Sequence, residues 1–237
     1  MGEVAETKPE TATAVFRLLA GGSPEPLPRH RHGLSRDDIL EAQRVRITAA
    51  AIELFAADGY AATSALTIAK RAGVSSKTFY QLYASKEDLF LDAYQAVGVV
   101  VRESGLNVPN GGALRIEPGE MVEYAARILA MIAAAPAAAR VFFLEAVGAG
   151  RRVRIRRNEA IREFVDAIAP AMCDLRSRTD PALTPLTDEM CHLVVAAGTE
   201  LIIEYLADHE PITLPHLAPR IAELVRVVVI PNYRPDK

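Results

Sequence analysis

Apolar residues recur along this chain at helical spacing, in short stretches separated by glycines, prolines and polar clusters. Ile47, Ala50, Ala51, Leu54 and Phe55 share one face under the 3.6-residue period. Asp58-Gly59 ends that helix, since glycine is the usual stop. Ser35-Arg36-Asp37-Asp38 supplies a cap for a helix beginning near Asp37. Thr63-Ser64 offers the cap of a second, shorter helix whose Ile68, Ala69 and Ala72 face inward. Gly73 stands where that helix must stop, because glycine takes the left-handed conformation at little cost. Val74 tucks inward, Ser75 caps the next short helix, and Phe79 points from it into the small core. Ser85-Lys86-Glu87-Asp88 resembles a capping box with Asp in place of the usual Glu or Gln. It opens a helix in which Leu89, Ala93 and Val97 share one face and Phe90 and Tyr94 the next.

The remainder is helical in pattern. Residues 104–119 are rich in Gly, Pro and Asn and read as a loop. Helices are expected over 120–134, from Pro136 to about residue 147, and over about 153–176. Residues 180–187 form a loop, 188–207 a strongly apolar helix and 217–229 the last one. No strand alternation and no internal repeat appears, so the fold class is all-α: a three-helix N-terminal helix-turn-helix domain followed by a larger helical domain. The expected boundaries are a disordered tail over 1–34, the first domain over 35–84 and the second over 85–237. The tail holds Pro9, Pro24, Pro26, Pro28 and paired glycines, with little periodicity. Its Arg29-His30-Arg31-His32 run is a solvated tail on the bland reading and an arm touching nucleic acid on the sharper one.

Chemistry concentrates on the helix after Gly73. Ser76, Lys77, Thr78, Tyr80 and Gln81 lie away from the inward Phe79, and such side chains suit phosphates and base edges. Alone they would pass for the solvated face of a short helix. Their setting is more specific. Residues 44–55, Gly59-Tyr60, Thr63-Ser64, Ile68-Ala69, Ala72-Gly73-Val74-Ser75, Thr78-Phe79-Tyr80 and Ser85-Lys86-Glu87-Asp88-Leu89 look like the N-terminal domain of TetR-family transcriptional regulators. The resemblance covers roughly residues 36–94 without a gap. Departures are Thr48 where an aliphatic residue is usual, Ala65 in place of valine, and Leu82-Tyr83 where His-Phe is common.

This resemblance implies a transcriptional regulator, a repressor by default, that binds a palindromic operator in double-stranded DNA as a homodimer. It implies that Tyr80 and Lys86 contact phosphate, that Ser76, Thr78 and Gln81 lie nearest the bases, and that Ser64, Thr67, Lys70, Ser75 and Lys77 complete the interface. It also implies a dimer built from the last two long helices. Leu193, Val194, Ala197, Leu201, Ile202 and Tyr205, with Leu217, Ile221, Leu224 and Val225, exceed what one core stripe needs. Intramolecular core is the alternative for them. A small, largely apolar effector would bind the second domain and release the DNA. Met121, Tyr124, Ile128, Met131, Phe142, Phe143, Phe164 and Met172 are candidate pocket residues, and ordinary core is the competing reading for each.

Net charge is −3, which by itself argues against a nucleic-acid binder. Its distribution reverses the argument. From Arg29 to Lys86 nine basic residues face five acidic ones, a net +4, so the rest of the chain carries −7. A basic head on an acidic body suits a DNA-binding sensor. Arg151-Arg152-Val153-Arg154-Ile155-Arg156-Arg157 reads as a solvated helix start, with an acidic ligand as the minority reading. Cys173 and Cys191 give neither a disulfide framework nor metal-ligand spacing, so thiols are expected and no metal or cofactor. No G-x-S-x-G elbow, phosphate loop or H-E-x-x-H occurs, which argues against an enzyme. No apolar run reads as long and uncharged enough to span a bilayer, and acidic Glu3 and Glu6 do not suit a signal peptide. A cytoplasmic protein without membrane partners is expected. A third class, an interaction protein using the motif as scaffold, would differ in lacking a salt-dependent shift of duplex DNA.

Overall fold

The computed structural model describes residues 9–19, 35–105 and 114–234, and every regular element among them is helical. The chain divides into two compact units, Met1–Val100 with Ala135–Arg156, and Val101–Ala134 with Arg157–Lys237.

The first unit holds α1 (Pro9–Leu19), α2 (Arg36–Asp58), α3 (Ala65–Arg71), α4 (Ser76–Leu82) and most of α5 (Lys86–Gly105). After α6 (Met121–Ala133) of the other unit it resumes with α7 (Pro136–Arg140), a π-helical turn (Val141–Glu145), α8 (Ala146–Gly148) and the start of α9 (Arg151–Thr179). Ile47, Ile52 and Phe55 of α2, Ile68 of α3, Phe79 of α4 and Leu89, Phe90 and Ala93 of α5 are all fully buried. Phe55, Tyr60 and Phe90 form an aromatic triad with ring centroids 5.1–5.4 Å apart. The faces expected from the 3.6 period are therefore those that meet. The turn at 141–145 widens where one continuous helix from Pro136 was expected. It leaves Phe142 stacked on Tyr94 at 4.3 Å while Val141 and Phe143 stay buried.

One expectation needs correction. The N-terminal tail is not structureless throughout, because α1 lies within it. Thr11, Ala12 and Val15 fall on one face and are buried, and α1 packs against α2 and α7. Its Thr11 hydroxyl donates to the Glu41 carboxylate of α2. Pro9 sits at the helix start, where proline is tolerated, and the other prolines lie beyond Leu19, so proline content misled the sequence reading. The basic run 29–32 lies outside the described residues.

The second unit comprises α6 (Met121–Ala133) after a 3-10 turn (Pro118–Glu120), the rest of α9, α10 (Asp188–Asp208), a 3-10 helix (Pro211–Leu217) and α11 (Ala218–Val229). Met121, Val165, Met172, Leu175, Val194 and Val229 belong to its core. Arg176 is buried there and donates to the Val229 carbonyl at the end of α11 at 2.8 Å and to the Thr184 carbonyl, in the loop before α10, at 2.6 Å.

The expectation that no run could cross a bilayer also needs correction. By length and composition α10 qualifies, and little of it is buried within the chain. Glu200 and Glu204 stand in its middle, one turn apart and both exposed, where carboxylates would be costly at membrane depth. Among the described residues no other unbroken helix qualifies.

Candidate nucleic-acid interface

The junction of α3 and α4 is set by hydrogen bonds that the local sequence dictates. Ser64 caps α3 by accepting from the Thr67 N–H at 3.1 Å. At the other end, Gly73 adopts φ +67°, the Gly73 N–H donates to the Lys70 carbonyl at 3.2 Å, and the Val74 N–H donates to the Ala69 carbonyl at 3.0 Å. Those two bonds are the Schellman closure of a helix end, which requires a left-handed residue at Gly73. Ser75 then caps α4 by accepting from the Thr78 N–H at 3.0 Å. Ser85 caps α5 by accepting from the Asp88 N–H at 3.1 Å, while its hydroxyl donates to the Asp88 carboxylate at 2.7 Å. The expected caps at Ser35, Ser64, Ser75 and Ser85 are all made.

Seven residues make a helix too short to stand alone, so α4 borrows its stability from the core. Phe79 is its single fully buried residue. Ser76, Lys77, Tyr80 and Gln81 are exposed, Tyr80 at 61 %, and Thr78 is half-buried with its hydroxyl 3.0 Å from that of Ser75. Thr67 and Lys70 of α3 are exposed as well. The structure thus presents the sequence-selected residues as an outward polar face made of hydroxyls, an amide, a phenol and ammonium groups. Such a face donates to phosphate oxygens and reads base edges. Sequence reasoning passed over Leu66, which is 68 % exposed and one turn before Lys70 on α3. Its position across the helix from the buried Ile68 was the available signal.

Lys86 is placed differently from the other polar residues. Its ammonium donates to the Tyr60 carbonyl at 2.7 Å and the Thr63 carbonyl at 2.8 Å, and lies 4.2 Å from the Tyr60 ring centroid. Burial pulls its pKa below the usual lysine value. The Glu145 carboxylate in turn accepts the Tyr60 N–H at 2.8 Å. The loop between α2 and α3 is therefore held by two charged side chains. An ammonium has three N–H donors, and these two bonds use two of them. Arg152 bridges Glu87 at 3.1 Å and Asp88 at 2.7 Å beside the start of α5. Burial works to raise the Asp88 pKa, but the Ser85 hydroxyl and Arg152 outweigh it and hold the carboxyl below its ordinary range.

The other sequence-selected sets are dispersed. Phe142 and Phe143 lie in the first unit, whereas Met121, Tyr124, Ile128, Met131, Phe164 and Met172 lie in the second. Of these, Met121 and Met172 belong to the core of the second unit and Tyr124 packs against it. Along α10 and α11, Leu193 and Ala197 are exposed and Leu201, Tyr205, Ile221, Leu224 and Val225 are half-buried. Val194, Ile202 and Leu217 are buried within the chain, so these three serve its own packing. Among the described residues no cluster of three or more His, Cys, Asp or Glu is arranged to hold a metal ion.

A helical head with a capped, outward polar helix after a glycine turn defines a helix-turn-helix DNA-binding protein. Comparison with known proteins narrows the class. Residues 47–93 match the family model described as bacterial regulatory proteins, tetR family. The fatty acid degradation regulator FadR of Bacillus halodurans superposes with a TM-score of 0.61 at 17% identity, covering 81% of this chain and 97% of its own. FadR of Bacillus subtilis, solved with stearoyl-CoA, gives 0.61 at 18%, covering 79% and 98%. The TetR-family regulator PfmR of Thermus thermophilus gives 0.56 at 16%, covering 81% and 97%. No curated protein sequence matches the chain. The tetR-family match thus lies in the head, over the helix-turn-helix, and most of the chain shares the fold of these solved regulators.

Proposed function

We propose that this protein is a TetR-family transcriptional regulator, a repressor that binds a palindromic operator as a homodimer in the cytoplasm and is released by a small, largely apolar effector. The observation that carries the reading is α4, whose exposed Ser76, Lys77, Tyr80 and Gln81 stand on a helix fixed by a serine cap and one buried phenylalanine. In this reading Ser76, Thr78 and Gln81 read bases. Tyr80, Lys77, Lys70, Thr67 and Ser64 hold phosphates, Ser75 fixes the helix start, and Lys86 adds one N–H. A single seven-residue helix covers few base pairs, so two copies on a two-fold site supply the affinity. The partner surface is the apolar side of α10 and α11 around Leu193, Ala197, Leu201 and Leu224, which a second copy covers as a four-helix bundle. That surface explains why α10 is apolar enough to pass for a membrane span.

The effector reading rests on the apolar residues of the second unit around Met121, Tyr124 and Met172. Release is a population shift. A coupling of about 1–3 kcal/mol weakens DNA binding roughly 5–150-fold, and DNA weakens effector binding equally.

The test begins with selection of duplexes from a random pool by the purified protein. Footprinting of the selected duplex, light scattering, and titrations with and without candidate effectors follow. Stearoyl-CoA, which the B. subtilis FadR binds, and simple fatty acids are the first probes. A two-fold footprint on a dimer supports the reading, and a monomer at micromolar concentration or an asymmetric footprint overturns it.

A further inference from the structure

Beneath α4 lies a buried polar cluster that the family resemblance does not provide. Tyr83 closes α4, its backbone N–H donating to the Phe79 carbonyl at 2.9 Å. Its side chain turns inward and is 4 % exposed, packed 5.9 Å from the Phe79 ring. The Tyr83 hydroxyl donates to the Asp92 carboxylate of α5 and shares a hydrogen bond with the Thr48 hydroxyl of α2 at 3.0 Å. Asp92 and Thr48 are 3 % and 1 % exposed. Arg44 of α2 completes the group, 3.4 Å from the Asp92 carboxylate and 5.4 Å from the Tyr83 ring centroid. Burial, the Asp92 charge and the hydrogen bond to it together push the Tyr83 phenol far above its ordinary range, so it is a neutral donor at any working pH.

Two of the sequence's departures from the family pattern, Thr48 and Tyr83, meet at this cluster. An aliphatic residue and a phenylalanine would fill the same space without polar atoms. A buried carboxylate is costly, and apolar replacements are often at least as stable. What directional bonds add is geometry. One apolar knob, Phe79, leaves a seven-residue helix free to roll about its contact. A second attachment at the far end, aimed at α2 and α5 together, removes that freedom.

We propose that Asp92, acting through the Tyr83 hydroxyl, is a positioning residue that fixes the rotation of α4 and so sets sequence discrimination. Thr48 and Arg44 hold the phenol and the carboxylate in place. The inference rests on α4 being the base-reading element. A merely structural cluster would affect stability. A positioning cluster affects the ratio of specific to non-specific binding, because phosphate contacts tolerate a rotated helix and base contacts do not.

The test uses the full chain, a duplex selected from a random pool by the parent protein, and a scrambled duplex of equal composition. Tyr83→Phe keeps the ring and removes the bond. It should lower the affinity ratio of selected over scrambled duplex about tenfold, the worth of one charge-assisted bond. Affinity for the scrambled duplex should stay within about twofold, with an unchanged salt slope. Asp92→Asn still accepts from the phenol and should retain most of the discrimination. The double variant should discriminate no worse than Tyr83→Phe alone, since both act through one contact. Unchanged discrimination by Tyr83→Phe, measured well below its melting temperature, overturns the proposal. So does an equal loss on both duplexes. Gln81→Ala is the control for the underlying reading. If it too leaves discrimination unchanged, the reading of α4 has failed, and if it alone reduces discrimination, only the positioning role has.

Discussion

Replacing Lys86 by methionine separates a structural role from a DNA-binding one in a single side chain. Methionine keeps the apolar stem and removes the ammonium. Two hydrogen bonds disappear, those to the Tyr60 carbonyl at 2.7 Å and the Thr63 carbonyl at 2.8 Å. A bond from a charged donor is worth about 1.5–3 kcal/mol net, and because this ammonium is partly exposed the lower value is used for each, giving about 3 kcal/mol. The ring contact with Tyr60 is lost, but a methionine sulfur near the same ring returns a similar amount, roughly 0.5–1 kcal/mol, so that contribution cancels. For a chain of this size 1 kcal/mol corresponds to roughly 2–4 °C, so calorimetry should find the melting temperature lowered by roughly 6–12 °C. The remaining N–H points to a second readout. If it meets a phosphate, the slope of log affinity against log salt should flatten by about 0.9 per protomer. A melting temperature within about a degree of the parent would refute the tether, since an ordinary surface substitution changes stability by less than about 0.5 kcal/mol. An unaltered salt slope would refute the phosphate contact and leave the tether standing.

Gly73→Ala should cost about 1–2 kcal/mol by thermal unfolding: the added Cβ meets nothing within 4 Å, so left-handed strain is the whole effect. Gly73→Asn should cost less, and a loss above about 4 kcal/mol would show that the turn holds something besides its dihedral angle. If the proposed dimer forms, Leu193→Glu should leave a monomer in sedimentation with the helical signal intact, because Leu193 is 59 % exposed within one chain. A dimer that survives it would move the interface elsewhere. Burial pushes the Tyr124 phenol up to about 12, and burial with Asp92 pushes that of Tyr83 higher. The unfolded chain ionises its phenols near pH 10, so stability from these two is full below about pH 10 and is lost as pH rises from there through their higher folded values. Absorbance at 295 nm should show both titrating late. A normal midpoint in the folded protein for the tyrosine lost in Tyr83→Phe would contradict the buried cluster.

Much of the first unit was legible because short-range rules decide it. Caps, the glycine closure and the inward Phe79 each depend on residues within a few positions. The failures are long-range. Lys86 was visible as a cation, but the carbonyls of Tyr60 and Thr63 that it holds lie 26 and 23 residues earlier, and carbonyls leave no mark in a sequence. Asp92 looked like one more polar residue in a helix, and only the fold shows Tyr83 and Thr48 converging near it. The last elements were blurred for a different reason. The sequence pattern offers no element between 207 and 217, whereas the chain forms a 3-10 helix there that accommodates Pro211 and Pro215. Val194 and Ile202 could not be told from surface apolar residues by period alone, since α10 is apolar on more than one side.

The division of labour within α4 bears on how such a protein changes over generations. Phe79, with the neighbouring Tyr83, attaches the helix, while Ser76, Lys77, Tyr80 and Gln81 touch little of the core. Mutations at those four positions are therefore nearly invisible to folding and fully visible to any DNA that the helix meets. A lineage can drift from one operator to another through well-folded intermediates, and a duplicated copy can acquire its own target before its body has diverged at all.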